Sequence, residues 1–161
     1  MLLTLVVYIV VDAGGKAPET PERPGAPAGT EVFEVADASH VSEQVDYPQD
    51  PPVGGPHSAT DVPCGYYDTP LTNEMAVHTL EHGVVWITYS PDLAASEVSV
   101  LADKTREPKV LVSPYPGLDA PIVASAWGRQ LRLDSAADQR LDQFIAAFQG
   151  GAQSPEPSVG C

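Results

Sequence analysis

The chain has 161 residues, 43% of them hydrophobic, and its 22 acidic against 8 basic residues give a formal net charge of -14. A field of that sign repels phosphate backbones and anionic lipid headgroups, so nucleic acid is excluded as an expected partner and most of the surplus is a solvated exterior. The 17 prolines and 13 glycines rule out an all-helical bundle, and the length leaves room for one domain of roughly 130 residues with a single core.

Leu2 to Val11 are almost wholly apolar. A helix of that length covers only about 15 Å, half of a hydrocarbon layer near 30 Å thick. The segment also lacks the basic flank and small-residue cleavage pattern of a signal peptide, and Asp12, Gly14 and Gly15 end it abruptly. Residues 1–15 therefore read as the remnant of a signal-anchor whose upstream half precedes the given start. The alternative is a buried first strand, which Val6, Val7, Ile9 and Val10 suit. Pro18, Pro21, Pro24 and Pro27 then recur at every third residue, the period of a polyproline II helix, so 16–30 is expected to be a stalk. At about 3.1 Å per residue it holds the remainder roughly 40 Å from a membrane surface. Residues 31–161 follow as an extracytoplasmic α+β domain, attached to the cell membrane through the N-terminal anchor.

Within that domain Glu31 to Val35 alternates as a strand, and Tyr47 to Pro56 is a proline-glycine loop leading into Gly54-Gly55-Pro56-His57. Pro63 to Tyr67 is turn-like. Asn73 to His82 reads as a helix stopped by Gly83, and Val84 to Tyr89, β-branched and aromatic, as a strand. Pro91 and Asp92 open a second helix running to about Lys104, and Lys109 to Val112 is another strand. Pro121 to Ala126 and Arg129 to Leu133 form a hairpin turning near Gly128. Ala136 to Gln149 closes the chain as an amphipathic helix with Leu141, Phe144, Ile145 and Phe148 on one face. Helix and strand alternating, then a hairpin and a helix, imply a mixed sheet with helices packed on it, for which a thioredoxin-like arrangement is the nearest template. No Cys-x-x-Cys is present to supply that template's redox chemistry.

Cys64 and Cys161 are the two cysteines. An even, sparse count in an exported chain reads as one disulfide; the competing readings are a Cys64 thiolate that ligates a metal and two unpaired thiols.

The densest chemistry lies in His78-Thr79-Leu80-Glu81-His82-Gly83. On a helix His78 and His82 are one turn apart on one face, the spacing that lets two imidazoles reach one ion, and Met75 falls on the same face while Val77 and Leu80 face the core. Two histidines hold an ion weakly. His57, in the Gly-Pro-His loop, is the expected third ligand, with Met75, Glu81 or Cys64 in reserve. Imidazole with thioether suits copper, and imidazole with carboxylate suits zinc. His-x-x-Glu-His is also the inverted zinc-protease spacing, in which Glu81 would work on a bound water, although here Gly83 ends the helix at once. A metal-free reading stands beside these: His78 and His82 cap the helix against the loop, with Glu81 pairing one of them. His40 lies in a different polar stretch and is not counted with the others.

From about Tyr47 to Cys161 the chain resembles a bacterial family of unknown function, common in actinobacteria. The matching runs are Gly55-Pro56-His57, Pro63-Cys64-Gly65-Tyr66-Tyr67, His78 to Gly83, Ser113-Pro114-Tyr115, Ala126-Trp127-Gly128 and the tail from Pro155 to Cys161. The resemblance implies a single-span membrane protein with an extracytoplasmic domain, and makes His57, Cys64, His78, Glu81 and His82 motif positions; it carries no assigned activity. The expectation is a membrane-tethered domain that binds a transition-metal ion, copper or zinc, through His57, His78 and His82, with Met75 in reach. The alternatives are a metal-free domain that contacts another envelope protein and, third, a zinc-dependent hydrolase.

Overall fold

The computed structural model describes residues 23–161, so the segment read as a signal-anchor and the first part of the expected stalk lie outside the described residues. Two-residue strand β1 (Glu31–Val32) is followed by β2 (Gly65–Tyr66), α1 (Asn73–Glu81), β3 (Val85–Tyr89) and α2 (Ala95–Asp103). A 3-10 turn (Lys104–Arg106), β4 (Val110–Pro114), β5 (Ile122–Ala126), β6 (Arg129–Leu133) and α3 (Gln139–Phe148) complete the domain. The fold is α+β, as the sequence implies.

The six strands form one sheet in the order β1-β6-β5-β3-β4-β2. β3 and β4 run parallel, joined across one face by α2, whereas β5 is antiparallel to β3 and makes a hairpin with β6 through Trp127 and Gly128. Every residue of β3, β4 and β5 is buried, as a sheet covered on both faces requires. Alternation along β3 divides the core. Val85, Ile87 and Tyr89 face Leu101 of α2 and Leu141, Phe144 and Phe148 of α3, while Trp86 faces the other way into a cluster with Val77 and Leu80 of α1, Leu111 and Trp127. α1, which carries the histidines, is thus anchored to one face of the sheet by its apolar side.

Local chemistry sets the element ends. Asp138 caps α3 by accepting the Arg140 backbone N–H at 2.9 Å, which satisfies one of the orphan donors of the first turn. Hydrogen bonds from the Arg140 guanidinium hold the Asp138 carboxyl below the usual carboxylate range. α2 starts at Ala95, later than the sequence suggests, because Ser90, Pro91 and Asp92 make a turn closed by the Leu93 N–H on the Ser90 carbonyl at 2.9 Å. α1 stops at Gly83, whose φ of +79° suits glycine. A Cβ there would stand 2.9 Å from the Gly150 Cα, and the Gly150 N–H donates to the Gly83 carbonyl at 2.6 Å. The end of α1 is therefore pressed against the chain leaving α3.

Both termini of the described chain are tied to this corner. Arg23 donates to the carbonyls of Gln149 and Gly150, and Pro27 is buried, so residues 23–30 lie along the domain. Lys109 Nζ donates to the carbonyls of His82 at 2.7 Å, Pro157 at 2.6 Å and Val159 at 2.6 Å, clamping the tail to the end of α1. Cys64 and Cys161 form a disulfide with Cα atoms 5.4 Å apart, which leaves no free cysteine among the described residues. The thiolate-ligand and free-thiol readings of Cys64 are thereby set aside. Among the described residues no helix is long and apolar enough to cross a membrane.

Candidate metal centre

The loop before α1 folds back over the helix because its backbone finds fixed partners there. The Val62 N–H donates to Thr79 Oγ1 at 2.9 Å and Thr79 Oγ1 donates to the Val62 carbonyl at 3.0 Å. The Ser58 N–H reaches the Glu74 carbonyl at 3.2 Å, and the Tyr47 hydroxyl donates to the Pro56 carbonyl at 2.7 Å. Gly54, with φ +148°, passes so close to Val35 that a Cβ would meet it at 2.9 Å. These contacts bring His57, fully buried, over the polar side of α1.

A short parallel bridge then adds a residue that spacing did not reveal. The Val41 N–H donates to the His57 carbonyl at 2.7 Å and the His57 N–H to the Ser39 carbonyl at 3.0 Å, which lays His40 beside His57. The ring centroids of His40, His57 and His78 stand 4.9 to 5.0 Å apart pairwise. Donor atoms of His40, His57, His78 and Glu81 all lie within 4.8 Å of one another. Three members are buried; the His40 side chain is 52% exposed and forms the solvent side of the cluster.

Hydrogen bonding decides which nitrogen of each buried ring is free. His57 Nδ1 lies 2.8 Å from the Gly55 carbonyl and His78 Nδ1 lies 2.8 Å from the Ser58 carbonyl. A carbonyl only accepts, so both Nδ1 atoms carry hydrogen, and in the neutral ring Nε2 is then a bare lone pair. Burial first, and then the charges of His82, His57 and His40, pull the His78 pKa below the usual histidine value against the opposing pull of the Ser58 hydrogen bond. His78 is thus held neutral at neutral pH, with its lone pair available. His57 Nε2 meets Glu81 Oε2 at 3.0 Å. Two acceptors at that distance require a positive particle between them, either a proton or a metal ion.

Two separations within the group suit an ion. Donors about 2.1 Å from a metal stand about 3.0 Å apart at a right angle and about 4.2 Å apart when opposite. The His57–Glu81 distance of 3.0 Å and the His40–Glu81 distance of 3.9 Å both fall in that span. Backbone carbonyls fixing the outer nitrogen are also the arrangement that orients metal-bound imidazoles. Trp127 packs edge-on to His57 at 6.0 Å and closes the inner side.

The residues singled out by spacing are distributed as follows. His57 and His78 meet, as a loop donor and a helical donor. His82 meets His78 edge-on with ring centroids 4.7 Å apart, but its donor atom falls into a second group with Glu81 and Glu156. Glu81 sits between the two groups rather than in reserve. Met75 packs among the partly buried apolar side chains around α1 and lines a groove of about 730 Å³ with Ser58, Glu74 and Tyr115. His40 and Glu156 were missed; both reach the site only through backbone contacts far along the chain.

Fold and side chains together define an α+β domain bearing a buried cluster of imidazoles closed by one carboxylate. The chain belongs to the family described as protein of unknown function DUF3105, whose model matches residues 40–161, from the first histidine of the cluster to the disulfide cysteine at the end. No curated protein and no solved structure matches the chain.

Proposed function

We propose that this domain binds one divalent transition-metal ion through His40, His57, His78 and Glu81, and that it does so outside the cytoplasm, tethered by its N-terminal segment. The observation that carries this reading is the pairing of His57 Nε2 with Glu81 Oε2 at 3.0 Å while His57 Nδ1 is committed to the Gly55 carbonyl. A buried lone pair facing a buried carboxylate is costly unless a cation joins them. Three imidazoles and a carboxylate are a borderline donor set that suits zinc or copper(II); a thioether from Met75 would be needed to favour copper(I). The disulfide supports an oxidising compartment, and the apolar run before the proline-rich segment supports a tether.

A metal-free interaction domain is favoured by the same contact if the joining particle is a proton, giving a buried imidazolium–carboxylate pair. The hydrolase reading has less support, because Glu81 stands among the donors, whereas that chemistry needs its carboxylate free to work on a bound water. Dialysis of the purified, metal-stripped domain against zinc or copper(II), followed by elemental analysis, separates the two main readings. Uptake with a rise in thermal stability of about 2.7 kcal/mol at a hundredfold excess over Kd is the expected outcome. No retained ion and no stability change leaves the proton-bridged pair.

A further inference from the structure

We propose that the domain holds a second divalent cation beside the first, ligated by His82 and Glu156, with the carboxylate of Glu81 shared between the two ions. The bridging part rests on the metal reading of the first site. Glu81, His82 and Glu156 offer donor atoms within 4.8 Å of one another, and Glu81 also belongs to the three-histidine group. One turn of α1 separates His78 from His82, so successive rings face successive positions along one line.

His82 supplies the independent observation. Its ring is buried, yet Nδ1 has no hydrogen-bond partner, and Asp61 Oδ2 stands 3.6 Å from it. On the other side Nε2 stands 4.0 Å from Glu156 Oε2. Neither separation is a hydrogen bond. Any protonation state of an imidazole carries at least one N–H, and a buried donor left unmatched is unfavourable. A cation satisfies the whole group: the Nδ1 hydrogen faces Asp61 Oδ2, and the Nε2 lone pair and the Glu156 carboxylate both turn to the ion. A separation of 4.0 Å is too long for a hydrogen bond and suits two ligands of one ion. A carboxylate behind the outer nitrogen is also how metal-bound histidines are commonly oriented.

Charge points the same way. Asp61, Glu81 and Glu156 surround one imidazole, and the nearby Lys109 ammonium is spent on the carbonyls of His82, Pro157 and Val159. Glu156 is not there by chance of an unanchored tail. Its backbone N–H donates to the Glu81 carbonyl at 3.1 Å, and the residues after it are held by Lys109 and by the Cys64–Cys161 disulfide. Two ions sharing a carboxylate form a pair of the kind that stabilises the attacking and leaving oxygens of a displacement.

The test uses the full domain with its disulfide intact, loaded with zinc alone and counted by elemental analysis after dialysis. Two ions per chain are expected in the parent and one in Glu156→Gln, the ion retained being the one held by His40, His57, His78 and Glu81. Glu156 has a 56% exposed side chain, so this variant keeps the test valid even if His82→Ala, which should also hold a single ion, fails to fold. One ion in the parent and one in Glu156→Gln overturns the second site while sparing the first. No ion in the parent overturns both. Two ions in Glu156→Gln overturn the assignment of these ligands. Cobalt substitution adds a separate check on the shared carboxylate: magnetically coupled ions are expected in the parent, and two independent spins overturn the bridge.

Discussion

His57→Ala is expected to weaken zinc or copper(II) binding by more than about 100-fold, since it removes a buried ligand that the Gly55 carbonyl holds in orientation. The ring is fully buried, joins the Gly55 carbonyl to Glu81, and abuts His40, His78 and Trp127. Its loss also removes the hydrogen bond to the buried Glu81 carboxylate, at a cost to the metal-free protein of about 1–3 kcal/mol. Competition against a chelator of known affinity reads the first effect, and chemical denaturation of the stripped protein reads the second. His40→Ala provides the contrast. Because that ring is half exposed it should lower affinity with little change in stability. Equal affinities in all three proteins contradict the metal assignment, and a stability loss alone in His57→Ala supports the proton-bridged pair.

The second large effect is expected from the paired replacement Cys64→Ser and Cys161→Ser. The bond closes a loop with a sequence separation of 97, and in the chain-entropy model a closure of that length contributes about 4–5 kcal/mol. For a domain of this size that corresponds to a fall in Tm of about 10–20 °C. The Lys109 contacts to the tail survive the substitution and keep part of the tail in place, so the folded state persists while its margin shrinks. Denaturant titration of the oxidised parent against the double variant measures this. A difference below about 1 kcal/mol contradicts the entropic role of the bond.

Where local pattern carried the information, the fold was legible in the chain. Asn73 to Gly83 shows a helix and its stop, Val84 to Tyr89 a β-branched strand, and Leu141, Phe144, Ile145 and Phe148 a single apolar face; the structure has α1, β3 and α3 there. The pairing of Gly65 and Tyr66 with Leu111 and Val112 had no such signal, because a two-residue strand exists only through its neighbour. The same division runs through the site. His57 and His78 were legible, one from a proline-bounded loop and the other from helical spacing next to Glu81. His40 was not, since only the backbone bridge from residues 39–41 to His57 brings it in. Glu156 was hidden likewise, since the Glu81 carbonyl and the Lys109 clamp position it. Reasoning from spacing finds ligands that share an element, whereas ligands delivered by register need the sheet and loops in place.

X-ray absorption at the metal edge of the zinc-loaded Glu156→Gln protein, which keeps the first site alone, addresses the coordination sphere itself. The expected spectrum has a first shell of nitrogen and oxygen at about 2.0–2.1 Å, no sulfur, and the outer-shell scattering of three imidazoles, reduced to two in a protein that also carries His40→Ala. A shell of oxygen without imidazole scattering, or one with a sulfur neighbour, contradicts the assignment of the ion to His40, His57, His78 and Glu81.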